Sequence, residues 1–201
     1  MRRVAIVIAL LMAPTAVQAH EADVQRLLDA KRTLNWNVNL SGRGEKYGHA
    51  ETLVDAPADK VRDTAVQYGK YKDFHRKFAT ARVIGKDGDN TDVFMKLAVK
   101  IGFFKIDQWE VMRFGPPRPL PGGAFVVEGR GVRGNMKDGH MIITMRPIDA
   151  KHSLLKVDLL LVPSLPAPQS MIDEELRDAA LDFANGLKDT AQGWSGPVVS
   201  L

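Results

Sequence analysis

The sequence predicts an α+β fold: a curved antiparallel sheet of about seven strands wrapped around one long C-terminal helix. The element order is one strand, two short helices, six strands, then that helix. Three observations predict it. Between Ala81 and Val162, short runs with apolar residues at every second position follow one another, separated by turn-forming groups such as Asp87-Gly-Asp-Asn90 and Asp149-Ala-Lys151. Near the end, Ile172, Leu176, Ala179, Ala180, Phe183, Ala184 and Leu187 recur at helical spacing and form one apolar stripe. Consecutive hairpins make a meander with one polar and one apolar face, and only the last helix is large enough to cover the apolar one.

In chain order, His20 to Lys31 reads as a lead-in helix within an N-terminal segment 20–34. Asn35 to Val54 alternates and reads as a first strand, broken at Ser41-Gly-Arg-Gly44. Asp55-Ala-Pro57 switches the chain to helix, because proline is pre-set for a first turn. Val61, Ala65 and Val66, then Tyr71, Phe74 and Phe78, give two short helices interrupted near Gly69. Strands follow at Ala81–Lys86, Thr91–Ile101, Ile106–Phe114, Ala124–Arg133, around Met141–Met145, and at Ser153–Val162. Pro116 to Gly123 is too rich in proline and glycine for regular structure, and 135–139 reads as a turn. Pro166 and Pro168 stop the last strand. Ser170 with Asp173 reads as the cap of the final helix, and Gly193 ends it. The domain is expected over 35–193, with a short tail at 194–201.

The composition suits one exported domain. The chain has 201 residues, 45% hydrophobic and 26% charged, enough for a real core. Met1-Arg-Arg3, the apolar run from Val4 to Ala13, and the small residues before Ala19 read as a secretory signal peptide over 1–19. Cleavage after Ala19 would place the protein in the periplasm or outside the cell. Losing Arg2 and Arg3 from 28 basic residues, against 24 acidic ones, brings the charge from +4 to about +2. An exported, nearly neutral protein is a poor candidate for nucleic-acid binding. With 0 Cys there are no disulfides and no thiolate zinc site, and the five histidines show no close pair at ligand spacing. No metal and no cofactor is expected.

A family resemblance rests on this order of elements. Val54-Asp-Ala-Pro-Ala-Asp-Lys60 is similar to the strand-to-helix entry of the helix-grip (SRPBCC) superfamily, which includes lipid-transfer START domains, plant pathogenesis-related allergens and polyketide cyclases. Phe74-His-Arg-Lys-Phe-Ala-Thr-Ala-Arg-Val83 looks like the segment after that superfamily's second helix. Gly134 to Gln192 is similar to its ending. The resemblance covers roughly residues 45 to 192 and carries no catalytic signature; the export signal and the extra N-terminal segment depart from it. It implies a cavity for a hydrophobic small molecule or lipid between sheet and final helix.

The motifs that suggest chemistry are weak. Gly129-Arg-Gly-Val-Arg-Gly134 matches a dinucleotide fingerprint, but a strand follows where phosphate binding needs a helix N-terminus. Glycines in a strand more often mark bulges or curvature. No serine sits in a nucleophile-elbow pattern.

The expected site is therefore a lined cavity. Its lining or core comes from Val93, Met95, Leu97, Val99, Trp109, Val111, Met141, Ile143, Met145, Leu155, Val157 and Leu159 on strands, with Ile172, Leu176 and Phe183 on the helix. Glu110, Glu128 and Arg130 are candidates to orient a ligand's polar end. Ile101, Phe103, Phe104 and Met136 lie at hairpin tips and read either as a gate that touches membrane transiently or as core tucked under the helix. Eight basic residues between Lys60 and Lys86, beside that mouth, could meet anionic headgroups or form a solvated face. The function expected first is a binding or transfer protein. A cyclase- or dehydratase-like enzyme using a cavity carboxylate, and an envelope protein with a filled core, stand as alternatives.

Overall fold

The computed structural model describes residues 16–40, 44–75, 78–101, 104–164 and 166–193, with side chains except at 16–19 and 98–106. Helix α1 (Ala16–Ala30) leads into β1 (Leu34–Val38) and β2 (Tyr47–Val54). Helix α2 (Ala58–Ala65), a 3-10 turn (Tyr68–Lys70) and α3 (Tyr71–Phe74) follow. Then come β3 (Phe78–Asp87), β4 (Asn90–Ile101), β5 (Phe104–Phe114), β6 (Arg118–Leu120), β7 (Ala124–Gly134), β8 (Met136–Pro147) and β9 (Ser153–Pro163), and finally α4 (Gln169–Gln192). The strands form one antiparallel sheet in the order β1-β2-β9-β8-β7-β5-β4-β3, with β6 paired to β7. Its last strand thus closes against β2, bringing the two ends of the domain together. Among the described residues no helix is long and apolar enough to cross a membrane.

The sheet has nine strands where about seven were expected, for two reasons. The run 35–54 reverses direction, so β1 and β2 pair as a hairpin with Val38 opposite Tyr47. The proline-rich 116–123 segment, expected to be irregular, contributes β6, which takes the part of β7 beyond the reach of β5. Alternate residues of an antiparallel strand turn their N–H away from the partner, so a three-residue strand tolerates Pro119. The 135–139 turn shrinks likewise: β8 begins at Met136. Phe78, expected on a helix, opens β3, and α1 reaches back to Ala16 and stops at Ala30.

Helix α4 ends as read from sequence, with Gly193 at φ 90°. Its start differs. No side chain caps it; the carbonyl of Pro168 accepts the N–H groups of Met171 and Ile172, and Ser170 already lies inside the first turn. The helix lies over β1, β2 and β9. It gets there because β2 presents small residues to it: a methyl on Gly48 would sit 1.9 Å from the carbonyl oxygen of Leu176. On α4, Ala179, Ala180 and Ala184 are buried in the core, and a methyl on Gly186 would sit 2.4 Å from Cα of Phe74 on α3. Side-chain amides of β1 complete the docking, Asn35 and Asn37 donating to the carbonyls of Arg177 and Asp173.

The opposite face of β2 and β9 is polar and carries α1. Arg26 pairs with Glu51 and lies over the Trp36 ring, and Lys156 bridges Asp23 (2.6 Å) and Glu51 (2.8 Å). His49 sits between Asp158 at 2.6 Å and Glu51 at 3.0 Å. Burial would lower the His49 pKa, but Asp158 and Glu51 outweigh it and hold it at about 8. Burial would raise Glu51, but His49 and Lys156 bring it down to about 2.

Gly48→Ala should cost roughly 3 kcal/mol or more, because backbone must move to admit the methyl; an unchanged urea midpoint would show that α4 does not rest on β2. The stability from His49 is complete below its ordinary 6.5 and lost as pH rises through about 8, while that from Glu51 is complete above 4.5 and lost as pH falls through about 2. Amide protection in α1 should therefore be greatest between those values and fall from pH 6.5 to 9, and His49→Ala should remove that fall.

Candidate functional site

The sheet face that carries α4 divides into two regions of different chemistry. Near the β5–β6 end it is filled by aromatic rings. Tyr68 stacks on Phe114 with centroids 4.6 Å apart, and Tyr71 meets Phe183 of α4 edge-on at 4.8 Å. The buried Tyr71 hydroxyl donates to the Ala65 carbonyl at 2.7 Å. Burial pushes the phenols of Tyr68, to about 12, and Tyr71 well above the ordinary value, so neither ionises. This region is packed core.

The other region lies along β4 and β5 toward their shared hairpin. Residues 108, 110, 112 and 114 of β5 turn inward together, since Met112 and Phe114 join the core. Gln108 stands opposite Leu97 and Glu110 opposite Met95, both buried apolar residues of β4. Glu110 lies four residues from Phe114, about 13 Å along the strand. It is 3% exposed and Gln108 6%, yet among the described residues nothing hydrogen-bonds Oε2 of Glu110 or Oε1 of Gln108.

Glycines make the seat for that carboxyl. A methyl on Gly131 of β7 would lie 1.9 Å from Oε1 of Glu110, and one on Gly139 of β8 1.9 Å from Oε2. Gly134 lets the Trp109–Glu110 backbone pass, its missing methyl 2.4 Å from the Trp109 carbonyl, and Gly129 admits the Phe114 ring. The glycines of the false dinucleotide fingerprint are thus spaces for β5 side chains and backbone, with a bulge in the pairing between Val111 and Met112. Burial, and then the charge of Asp138, push the Glu110 carboxyl up to about 7. A carboxyl balanced at neutral pH, with an unused oxygen, can accept a ligand's hydrogen bond or exchange a proton.

The expected site residues separate along the same parity. Val93, Met95, Leu97, Met141, Ile143, Met145, Leu155, Val157, Leu159, Leu176 and Phe183 are buried on the helix side, and Ile172 is partly buried against them. Trp109 and Val111, expected as lining, point the other way: Trp109 stacks on Phe94, which alternates with the inward Val93 and Met95. The β5 run has bulky residues at both parities, so hydrophobicity alone assigned its face wrongly. Glu128 and Arg130 also lie opposite to Glu110, since Val127 and Gly129 are the inward residues of β7. Glu128 accepts from Arg130 at 2.7 Å and contacts His140 Nε2 at 2.9 Å, while His140 Nδ1 meets the buried Tyr47 hydroxyl at 2.7 Å. Met136, a gate candidate, packs partly buried against the core. Phe103 lies outside the described residues, as do the side chains of Val99, Ile101 and Phe104.

No family model matches the sequence, and no curated protein does. Solved structures do. The STAR-related lipid transfer protein of Xanthomonas axonopodis (fragment 25–204) superposes with a TM-score of 0.66 at 14% identity, over 82% of this chain and 96% of that one. Human StAR-related lipid transfer protein 5 gives 0.61 at 11%, over 89% and 97%. The Zhui aromatase/cyclase from Streptomyces sp. R1128 gives 0.53 at 13%, over 73% and 93%. This chain has the START-like helix-grip fold. Within it, Gln108 went unnoticed in the sequence; only its place two residues from Glu110, in a strand facing the glycine run, could have marked it. Among the described residues, no three His, Asp or Glu side chains converge to hold a metal ion.

Holding Glu110 near 7 instead of 4.5 costs the folded state on the order of 3 kcal/mol once the group is charged. The folded form is thus favoured at low pH and loses that advantage as pH rises through about 7. Glu110→Gln should accordingly raise the unfolding free energy at pH 8.5 by roughly 1–2 kcal/mol, with no gain at pH 4. Equal gains at both values would mean the carboxyl is solvated.

Proposed function

We propose that this chain is an exported carrier that holds a hydrophobic small molecule or lipid against the helix-side face of its sheet. The observation that carries the reading is the pairing of an apolar lining with buried, unpartnered oxygens in the β4–β5 region, beside a core already filled by aromatics. Burying a ligand's apolar surface at roughly 25 cal/mol per Å² would drive binding. Glu110 and Gln108 would orient its polar end, as a few placed polar groups do in mainly apolar sites. The lipid-transfer names of two structural neighbours support this reading, and the signal-like segment 1–19 supports export with cleavage after Ala19. Transfer would involve brief membrane contact at the β4–β5 tip, where the sequence places Ile101, Phe103 and Phe104.

A second reading has its own support. A carboxyl at about 7 is suited to acid–base catalysis, and one neighbour is an aromatase/cyclase. The carrier reading is preferred because, among the described residues, no side chain hydrogen-bonds Glu110 to serve as a second catalytic group; the buried Tyr47–His140 pair lies on the other face.

Native mass spectrometry with lipid extraction, on protein purified from its own host's envelope, separates these readings. A stoichiometric apolar ligand on a chain beginning at His20 is the expected result. Apo protein that also fails to take up a neutral apolar dye would end the carrier reading. Phe104→Asp should slow delivery of the ligand to vesicles without weakening its retention.

A further inference from the structure

The two unpartnered oxygens constrain the ligand beyond its being apolar. Gln108 and Glu110 are two residues apart on one strand face, in unbroken register with Leu97 and Met95, so their side chains leave the sheet about 7 Å apart. Each is more than nine-tenths buried, and each keeps an acceptor oxygen that no group of the described chain satisfies. A buried acceptor left unpaired is costly, so an occupant that donates to it binds more tightly than one that does not. Among the described residues no cation lies against the pair to attract an anion. Met95 and Leu97 on β4 are apolar, Gly131 and Gly139 supply no side chain, and the charge that acts on Glu110, that of Asp138, is acidic. No Lys or Arg is paired with Glu110 among the described residues.

We infer that the ligand's polar end is an uncharged hydrogen-bond donor with two donors some angstroms apart, such as a diol or glycerol head, and that free carboxylate and phosphate heads are rejected. The inference rests on the carrier reading and deepens it. A free acid would bring a second negative charge beside Glu110, which is largely ionised at pH 8. A neutral ester without donors would enter but leave both oxygens unpaired. Discrimination of this kind is stronger than anything an extra methylene provides, because it comes from buried groups left unsatisfied.

Three probes with one tail test it: 1-monooleoylglycerol, methyl oleate and oleate, each competing at pH 8 with the neutral dye N-phenyl-1-naphthylamine on the purified protein. The glycerol ester is expected to displace dye at about tenfold lower concentration than methyl oleate, with oleate weaker than both. Glu110→Gln should improve oleate about tenfold, and Gln108→Leu should shrink the glycerol-over-methyl preference several-fold. Oleate or methyl oleate competing as well as the glycerol ester would overturn the donor rule and mean that water satisfies the two oxygens, while leaving the carrier reading standing. Failure of dye and all three probes to bind would instead remove the carrier reading, and the inference with it.

Discussion

The contact on which the rest of the structure depends is backbone on backbone: α4 lies directly on β2 at Gly48, where the Leu176 carbonyl occupies the space of a side chain. A helix held that close cannot stand centrally over the sheet. It sits over β1, β2 and β9, and Gly186 draws α3 against its other side. Tyr71, Phe74 and Phe183 then fill one end of the interior. What remains is the inward face of β4 and β5, beyond the helix, where the chain buries Gln108 and Glu110. The site is thus a consequence of where two glycines let a helix settle.

The two faces of the sheet treat charge in opposite ways. Behind β2 and β9, among the described residues, the buried charged groups lie beside opposite charges: His49 between two carboxylates, Glu51 among cations, Lys156 between Asp23 and Glu51. Such a network lowers the cost of burial by pairing and holds α1 in place. On the helix side, among the described residues, Oε2 of Glu110 meets no cation and no donor, and the carboxyl rests on the floor of Gly131 and Gly139. The same chain compensates a buried carboxylate at Glu51, so the two faces differ in how they hold a buried acid.

Much of the fold was legible because it is written in local periods. The meander, the Gly88–Asp89 hairpin, the long last helix and its Gly193 stop each depend on residues within one turn or one strand. Trp109 and Val111 were misassigned because β5 carries bulky residues at both parities: Trp109, Val111 and Arg113 on one face, Met112 and Phe114 on the other. Its inward face was decided by packing with Tyr68 and Gly129, both distant in sequence. Glu110 was recognisable as a carboxyl within a strand. That it differs from Glu128 and Asp158 in pointing inward, with no partner for its Oε2 among the described residues, was not.

By itself, the sequence determined the class of structure and its order: alternation every second residue makes strands, the 3.6-residue stripe makes the covering helix, and glycine and proline punctuate them. It also determined that the Gly129–Gly134 run opens no phosphate-binding helix, because a strand pattern follows. Only the tertiary structure decided which carboxylate is buried without a cation among the described residues and what the glycines are for. A strand's side chains take their environment from neighbours across the sheet, and those neighbours, Met95, Gly131 and Gly139, come from three other strands. Burial and pairing are properties of that assembly, and no stretch of sequence around Glu110 contains them.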